Sequence, residues 1–257
     1  MSGKFFVFNA RNILFGMLMV CGLIILCVTG TTIVNKTIET AMSERLLPIY
    51  SVETQKKEVA ITFDCAWGAD DIPSIINILE KNKIEVTFFT VGTWVDKFPN
   101  AVAMLSKAGM EIGNHSNTHA HVSKLSYGEN LEDMTKCNEK IKKITGKDVK
   151  FYRGAYGEYN NTVISVEKEL NMKVVQWDVD TLDYEGKSTE EMRQRIRKKI
   201  RNGSIILMHN DTKHTAEGLQ QMIDTIHEEG YEIVSLDELI YQENYEINHE
   251  GRQIKIN

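Results

Sequence analysis

Positive charge is not in surplus in this chain. Its 30 lysines and arginines face 36 aspartates and glutamates, a net charge of −6 with pI near 5.7, so it has no general electrostatic reason to bind nucleic acid. Cysteine is scarce too. Of the four, Cys21 and Cys27 lie in an apolar run, and Cys65 with Cys137 are too few to form a disulfide framework. No internal repeat or low-complexity tract is present. No glycine-rich phosphate fingerprint follows the first strand-like run, which removes support for a dinucleotide-binding fold.

What the chain does have is length and apolar content enough for one sizeable domain with an extra segment: 257 residues, 42% of them hydrophobic. The extra segment is the run 13–34, ILFGMLMVCGLIILCVTGTTIV, which carries no charge. It is long enough for a transmembrane helix, which needs about 20 residues. Lys4 and Arg11 precede it without an acid, so the positive-inside rule sets the N-terminus in the cytoplasm and the remainder outside. A cleaved signal peptide is the alternative, with TGT at 29–31 as its nearest cleavage site, but its apolar core normally runs only about 7–15 residues. The expected organisation is therefore a cytoplasmic N-terminus and membrane anchor at 1–34 and a polar stalk at 35–57. A catalytic-sized domain at 58–240 and a polar tail at 241–257, wrapped on the domain or loose, complete it.

From Glu58 onward short apolar runs alternate with helical patterns. Strands are predicted at 59–63, 86–91, 110–114, 149–153, 173–179, 204–209 and 231–236. Helices are predicted at 71–82, 100–109, 130–146, 161–170, 188–203 and 215–230, with Gly109, Gly146, Gly203 and Gly230 where left-handed caps are wanted. Such alternation predicts an α/β fold, a (β/α) barrel of about seven parallel strands whose chemistry gathers at the C-terminal strand ends.

Those ends carry the chemistry-capable residues. The first predicted strand ends in Asp64, the third runs into His115 and the fourth ends in Arg153. The fifth runs into Asp178, Asp180 and Asp183, and the sixth ends in His209. His115 and His119 are spaced to hold a divalent metal through neutral imidazoles, although a lone H-x-x-x-H pair is more often a polar loop. His121 and His214 fit the loop reading better. Asp64, after an apolar run, needs a partner in a buried setting, with Arg153 or a metal as candidates. Asp183 is a candidate to orient His209 and keep it protonated.

TFDCAWG (62–68), HSNTH (115–119), RGAYG (153–157), DTLDY (180–184) and LMH (207–209) resemble, in order, the five motifs of the polysaccharide deacetylases, carbohydrate esterase family four, the NodB-homology domain. The resemblance covers about residues 56–240 and looks closest to a membrane-anchored, sporulation-type branch. It implies a distorted barrel that removes acetyl groups from N-acetylated sugars of cell-wall glycan, peptidoglycan above all, with a divalent metal: zinc, or else cobalt or manganese. Carried over by motif, Asp64 would be the general base, held by Arg153, and His115 with His119 would bind the metal. His209, tuned by Asp183, would be the general acid, and the Tyr156 backbone N–H an oxyanion donor. Trp67, Tyr156, Trp177 and Tyr184 offer faces for a sugar, or else pack in the core, and Leu207 belongs to the last motif on the substrate side.

Three departures from the family pattern stand out. The usual second aspartate, the third metal ligand, is Cys65 here; a thiolate can bind zinc, and Asp70, Asp71 or Asp64 itself are alternatives. The usual Arg-Pro-Pro-Tyr is Arg153-Gly154-Ala155-Tyr156, expected to be a more flexible loop. Tyr184 stands where tryptophan is usual. Two rival readings follow: a degenerate member that binds glycan or a protein without turnover, and a metal-independent amide hydrolase that would not need the histidine pair.

Overall fold

A computed structural model describes residues 45–256 together with residues 17, 19–22 and 24, which are helical. The chain divides into two units, Met1–Arg45 and Leu46–Asn257, and every described strand belongs to the second. The run 13–34, expected to span a membrane, falls outside the described residues apart from those few helical positions. Among the described residues no helix is long and apolar enough to cross a membrane.

The strands are β1 (Ser51–Val52), β2 (Glu58–Cys65), β3 (Thr87–Thr90), β4 (Glu111–Asn114), β5 (Phe151–Tyr152) and β6 (Lys173–Val174). They continue with β7 (Val179–Asp180), β8 (Ile205–His209), β9 (Glu232–Ile233), β10 (Tyr245–Ile247) and β11 (Arg252–Lys255). The main sheet has the order β6-β5-β4-β3-β2-β8-β7, with β9 joined to the start of β2, and every pairing in it is parallel. Except between β6 and β7, helices cross over between successive strands of this sheet, as parallel pairing demands. Three of them, Tyr127–Thr145, Thr189–Lys199 and Leu236–Leu239, open with capping boxes in which Ser126, Ser188 and Ser235 pair with Glu129, Glu191 and Glu238. Each such cap is worth about 1 kcal/mol. The four expected helix-ending glycines all adopt positive φ.

The predicted strand 173–179 is not one strand. Its first part, β6, pairs with β5 and its last part, β7, pairs with β8, so this single segment curls the sheet back on itself. Ile49 fills the break. Its N–H donates to the Val174 carbonyl (2.9 Å) and its own carbonyl accepts from the Gln176 N–H (2.7 Å). Residues 46–52, expected as the end of a stalk, are thus built into the domain, with Ile49, Ser51 and Val52 buried. The tail is ordered as well: β10 lies antiparallel to β11, and β11 runs parallel to β1.

Side-chain alternation along β2 sorts two cores. Val59, Ile61, Phe63 and Cys65 face the helices and join Ile72, Ile75, Leu79 and Leu219 in the larger apolar cluster. Ala60 faces the barrel interior, packed with Phe89, Phe151, Val175 and Ile205. Thr62 and Asp64 continue that inner face upward, both meeting Arg153. Burying each large side chain on either face contributes about 1.5–3 kcal/mol.

Gly113 in β4 has a specific role on the inner face. A Cβ there would lie 2.6 Å from the Phe89 ring, whose face in turn supports the Arg153 guanidinium 4.1 Å from its centroid. Gly113→Ala is therefore expected to cost about 1–3 kcal/mol of unfolding free energy in urea titrations. Gly128→Ala, at a helical position with open space around it, should gain up to about 1 kcal/mol.

Candidate active site

The pocket sits at the C-terminal ends of the strands, a cavity of about 360 Å³. Asp64, Trp67, His115, His119, Tyr156, Trp177, Tyr184, Leu207 and His209 line it, together with Ala66 and Gly157. Parallel register explains the convergence: Asp64 on β2 and His209 on β8 are directly paired positions on adjacent strands. His115 follows β4 and Arg153 follows β5, and the Arg153 N–H donates to the Asn114 carbonyl (2.9 Å).

Asp64 is held by a buried ion pair. Arg153 Nη1 donates to Asp64 Oδ1 at 2.7 Å and to Thr62 Oγ1 at 3.0 Å. Its other donors go to backbone carbonyls, Nε to Val175 and Nη2 to Gln176, each at 3.1 Å. Arg153 is wholly buried, between Phe89 and, at 5.3 Å, Trp177. Burial alone would push the Asp64 carboxyl up, but the Arg153 guanidinium, with His209, holds it below the usual carboxylate range.

The two histidines of the H-x-x-x-H pair are neutral. His115 Nδ1 is 2.7 Å from the Arg153 carbonyl. A carbonyl only accepts, so Nδ1 carries the proton and Nε2 keeps its lone pair. That lone pair lies 3.5 Å from Asp64 Oδ2. Burial lowers the His115 pKa, and burial together with His115 drives His119 down to about 4. Both imidazoles therefore suit a divalent metal.

A third protein ligand does not join them. Cys65, the expected candidate, is wholly buried on the helix-facing side of β2 among Ile72, Phe63 and their neighbours, because adjacent strand residues point to opposite faces. Burial also raises its thiol pKa well above the ordinary value. Asp71 is engaged with the Asp211 N–H (2.7 Å) and the Asn210 amide (3.3 Å). Among the described residues no three His, Cys, Asp or Glu side chains form a ready ligand set; of the alternatives, Asp64 lies beside the pair, its Oδ2 3.5 Å from His115 Nε2, but its Oδ1 is committed to Arg153.

His209 has the opposite electrostatic setting. Its Nδ1 lies 2.8 Å from Asp183 Oδ1, and its backbone N–H donates to Asp183 Oδ2 at 2.6 Å. Thr215 Oγ1 and the Tyr184 N–H also donate to the Asp183 carboxylate, at 2.7 and 2.9 Å, which locks it in place. Burial pulls the His209 pKa down, but the hydrogen bond to Asp183 and the charges of Asp64 and Asp183 outweigh it and raise it above the ordinary value. Sequence reasoning missed Thr215, Thr62 and Phe89. Thr62 was findable, two residues before Asp64 on the same strand face; Thr215 opens a helix and carries no such signal.

The rim is aromatic. Trp67, Tyr156 and Tyr184 are half or more exposed, and Trp67 and Tyr184 flank His209 at 6.0 and 5.2 Å between ring centroids. His121 is exposed as expected and stacks on Tyr156, with its Nδ1 2.7 Å from Glu158. The RGAYG loop is tight rather than flexible. A Cβ on Gly154 would lie 2.1 Å from the Glu158 carbonyl, and the Gly157 and Glu158 N–H groups close the turn on Gly154 and Ala155. Tyr156 holds φ +59, and His119 holds φ +58, left-handed values that non-glycine residues keep only when their surroundings impose them. Asp178 lies off the pocket, paired with Arg201 at 2.9 Å.

Comparison with known proteins agrees with this arrangement. The family profile described as polysaccharide deacetylase matches residues 51–175. An uncharacterised Bacillus subtilis protein, YlxY, is 36% identical over 193 residues, 75% of this chain and 60% of the relative. A peptidoglycan-N-acetylglucosamine deacetylase of Bacillus cereus is 31% identical over 183 residues, 71% of this chain and 66% of the relative. This chain thus spans less than two thirds of either relative. Among solved structures, BA3943 of Bacillus anthracis, a CE4 family pseudoenzyme, superposes with a TM-score of 0.73 at 34% identity, covering 75% of this chain and 68% of that one. On the profile match, the shared barrel and these identities, the chain belongs to the polysaccharide deacetylase family.

Proposed function

We propose that the chain is a peptidoglycan N-deacetylase, a hydrolase that cleaves the amide of an N-acetylated amino sugar and releases acetate. One observation carries this reading: a carboxylate whose anion Arg153 favours and an imidazole whose cation Asp183 favours occupy paired positions on adjacent strands, at the floor of one aromatic-rimmed pocket. A binding surface has no use for a base and an acid in opposed charge states; hydrolysis of an amide needs both, because an amine leaves poorly without a proton.

In this reaction Asp64 takes a proton from a water molecule as its oxygen attacks the acetyl carbonyl. The negative charge that develops on the carbonyl oxygen is met by the Tyr156 backbone N–H. His209 gives its proton to nitrogen as the C–N bond breaks, leaving acetate and a free amine. Arg153 keeps Asp64 anionic and fixed, and Asp183 keeps His209 cationic and turned by its Nδ1–H. Trp67, Tyr156 and Tyr184 supply faces for the sugar ring. The charge-free run 13–34, with Lys4 and Arg11 before it, supports an anchored domain outside the cytoplasmic membrane as part of the same proposal.

A second reading has its own support. Cys65 lies away from the histidine pair, and the Bacillus anthracis neighbour is a pseudoenzyme. On that reading the pocket binds glycan without turnover.

Acetate release from N-acetylated peptidoglycan separates the two. The wild-type chain should release acetate and Asp64→Asn should lower the rate by about 10²–10⁴-fold. Absence of acetate from the wild type, with zinc, cobalt or manganese supplied in turn, alongside retained peptidoglycan binding, would establish the second reading. The pH profile carries a further expectation. Activity should fall at low pH as Asp64 protonates and at high pH as His209 loses its proton, the alkaline limb lying above the ordinary imidazole pKa of about 6.5. Asp183→Asn should move that limb down by about one to two pH units. Elemental analysis after dialysis should find well under one zinc per chain, because two imidazoles hold the ion more weakly than the usual set of about three or four protein ligands.

A further inference from the structure

The segment Leu46–Val52 starts before the family profile match and lines no part of the pocket, yet it backs the wall on which the ion pair is built. Four carbonyls and two backbone amides form a short relay. Ile49 N–H donates to the Val174 carbonyl at 2.9 Å, and the Gln176 N–H donates to the Ile49 carbonyl at 2.7 Å. Between and beside those anchors, the carbonyls of Val175 and Gln176 accept from Arg153 Nε and Nη2, both at 3.1 Å. The guanidinium then reaches Asp64 through Nη1. The Gln176 side chain also donates to the Gly157 carbonyl at 3.3 Å, which ties the same wall to the loop carrying Tyr156.

We infer that Ile49 is a positioning residue for the reaction: its backbone holds the Val175–Gln176 carbonyls that aim Arg153 at Asp64. The reason lies in the break between β6 and β7. Residues 175–178 join the main sheet at their two ends, the Val175 N–H donating to the Tyr152 carbonyl at 2.9 Å and the Asp178 N–H to the Ile205 carbonyl at 3.2 Å, and between those ends the Gln176 N–H is held by Ile49. Ile49 supplies the missing ladder bonds. It is itself fixed from behind, since its side chain is buried with Phe151, Val175 and Leu239, and the Tyr50 and Val52 N–H groups donate to the Gly251 and Gly203 carbonyls. A guanidinium has a rigid fork of donors, so a small rotation of its two carbonyl partners is passed to Nη1 rather than absorbed.

The test reads Arg153 itself and does not depend on turnover; only its kinetic arm rests on the deacetylase reading. In ¹⁵N spectra of the full chain, the Arg153 Nε–H signal is identified by its loss in Arg153→Lys. In the wild type, the Gln176 amide and the Arg153 Nε–H should lose protection from hydrogen exchange together as urea is raised. An Arg153 proton that stays protected while the Gln176 amide exchanges overturns the inference, and this measurement needs no variant to fold. Ile49→Pro removes the donated N–H; it should speed Arg153 Nε–H exchange about tenfold more than Leu239→Ala, a variant of the same inner cluster, compared at equal loss of stability. Ile49→Val, which keeps the backbone bonds, should leave exchange within about twofold of wild type. Equal exchange in Ile49→Pro and Leu239→Ala overturns the inference. In the kinetic arm, Ile49→Pro should lower kcat about tenfold with KM unchanged. Should the wild type release no acetate, the deacetylase reading fails and the exchange data still decide this one.

Discussion

The barrel is organised around one buried charge pair. Arg153 and Asp64 are both withdrawn from water, and removing either partner of such a pair typically costs about 3–5 kcal/mol because the other is left uncompensated. That constraint explains otherwise unrelated features. Thr62 presents a hydroxyl two residues before Asp64, the chain at 175–176 turns two carbonyls inward, and Phe89 lies flat under the guanidinium. Gly113 gives Phe89 the room to do so. Each satisfies a donor or a face of Arg153, and together they set where the free oxygen of Asp64 points.

Around that pair the pocket holds imidazoles in two charge states within a few ångströms. His115 and His119 are held towards the neutral form by burial, with His115 adding to the effect at His119, while the His209 pKa is raised by a carboxylate that itself accepts four hydrogen bonds. The sorting depends on second partners. The Arg153 carbonyl fixes the His115 proton on Nδ1, and Asp183 turns His209 the same way but adds a charge. Identical side chains thus acquire distinct chemistry from one neighbouring acceptor each.

Much of this was legible in the sequence, for a physical reason. Strand alternation and parallel pairing place chemistry at one end of the barrel, so Asp64, His115, Arg153, Asp183 and His209 were identifiable from where apolar runs stop. The motif resemblance masked side-chain direction at the strand tip: Cys65 stands in the place of a ligand beside Asp64, yet strand alternation puts it on the other face. Nor does local pattern reveal partners distant in the chain. KVVQWDV has the composition of one strand, and only tertiary pairing with β5, β8 and Ile49 divides it. The segment 46–52, LLPIYSV, is apolar but is absorbed into the polar stalk reading of 35–57, because it carries Pro48 and no sustained periodicity and its burial is conferred by β11 and the 174–176 wall. The glycines of RGAYG suggest slack from composition, whereas Gly154 is there because the Glu158 carbonyl leaves no space for a Cβ.

The placement of Cys65 has a consequence beyond the pocket. Cys65 and Cys137 are both fully enclosed, and burial raises both thiol pKa values, so thiolate is scarce at either position. Oxidants and alkylating reagents act on thiolate and need access to it. The domain therefore keeps two unpaired cysteines in a chemically silent form, safe from cross-linking between chains even in oxidising surroundings.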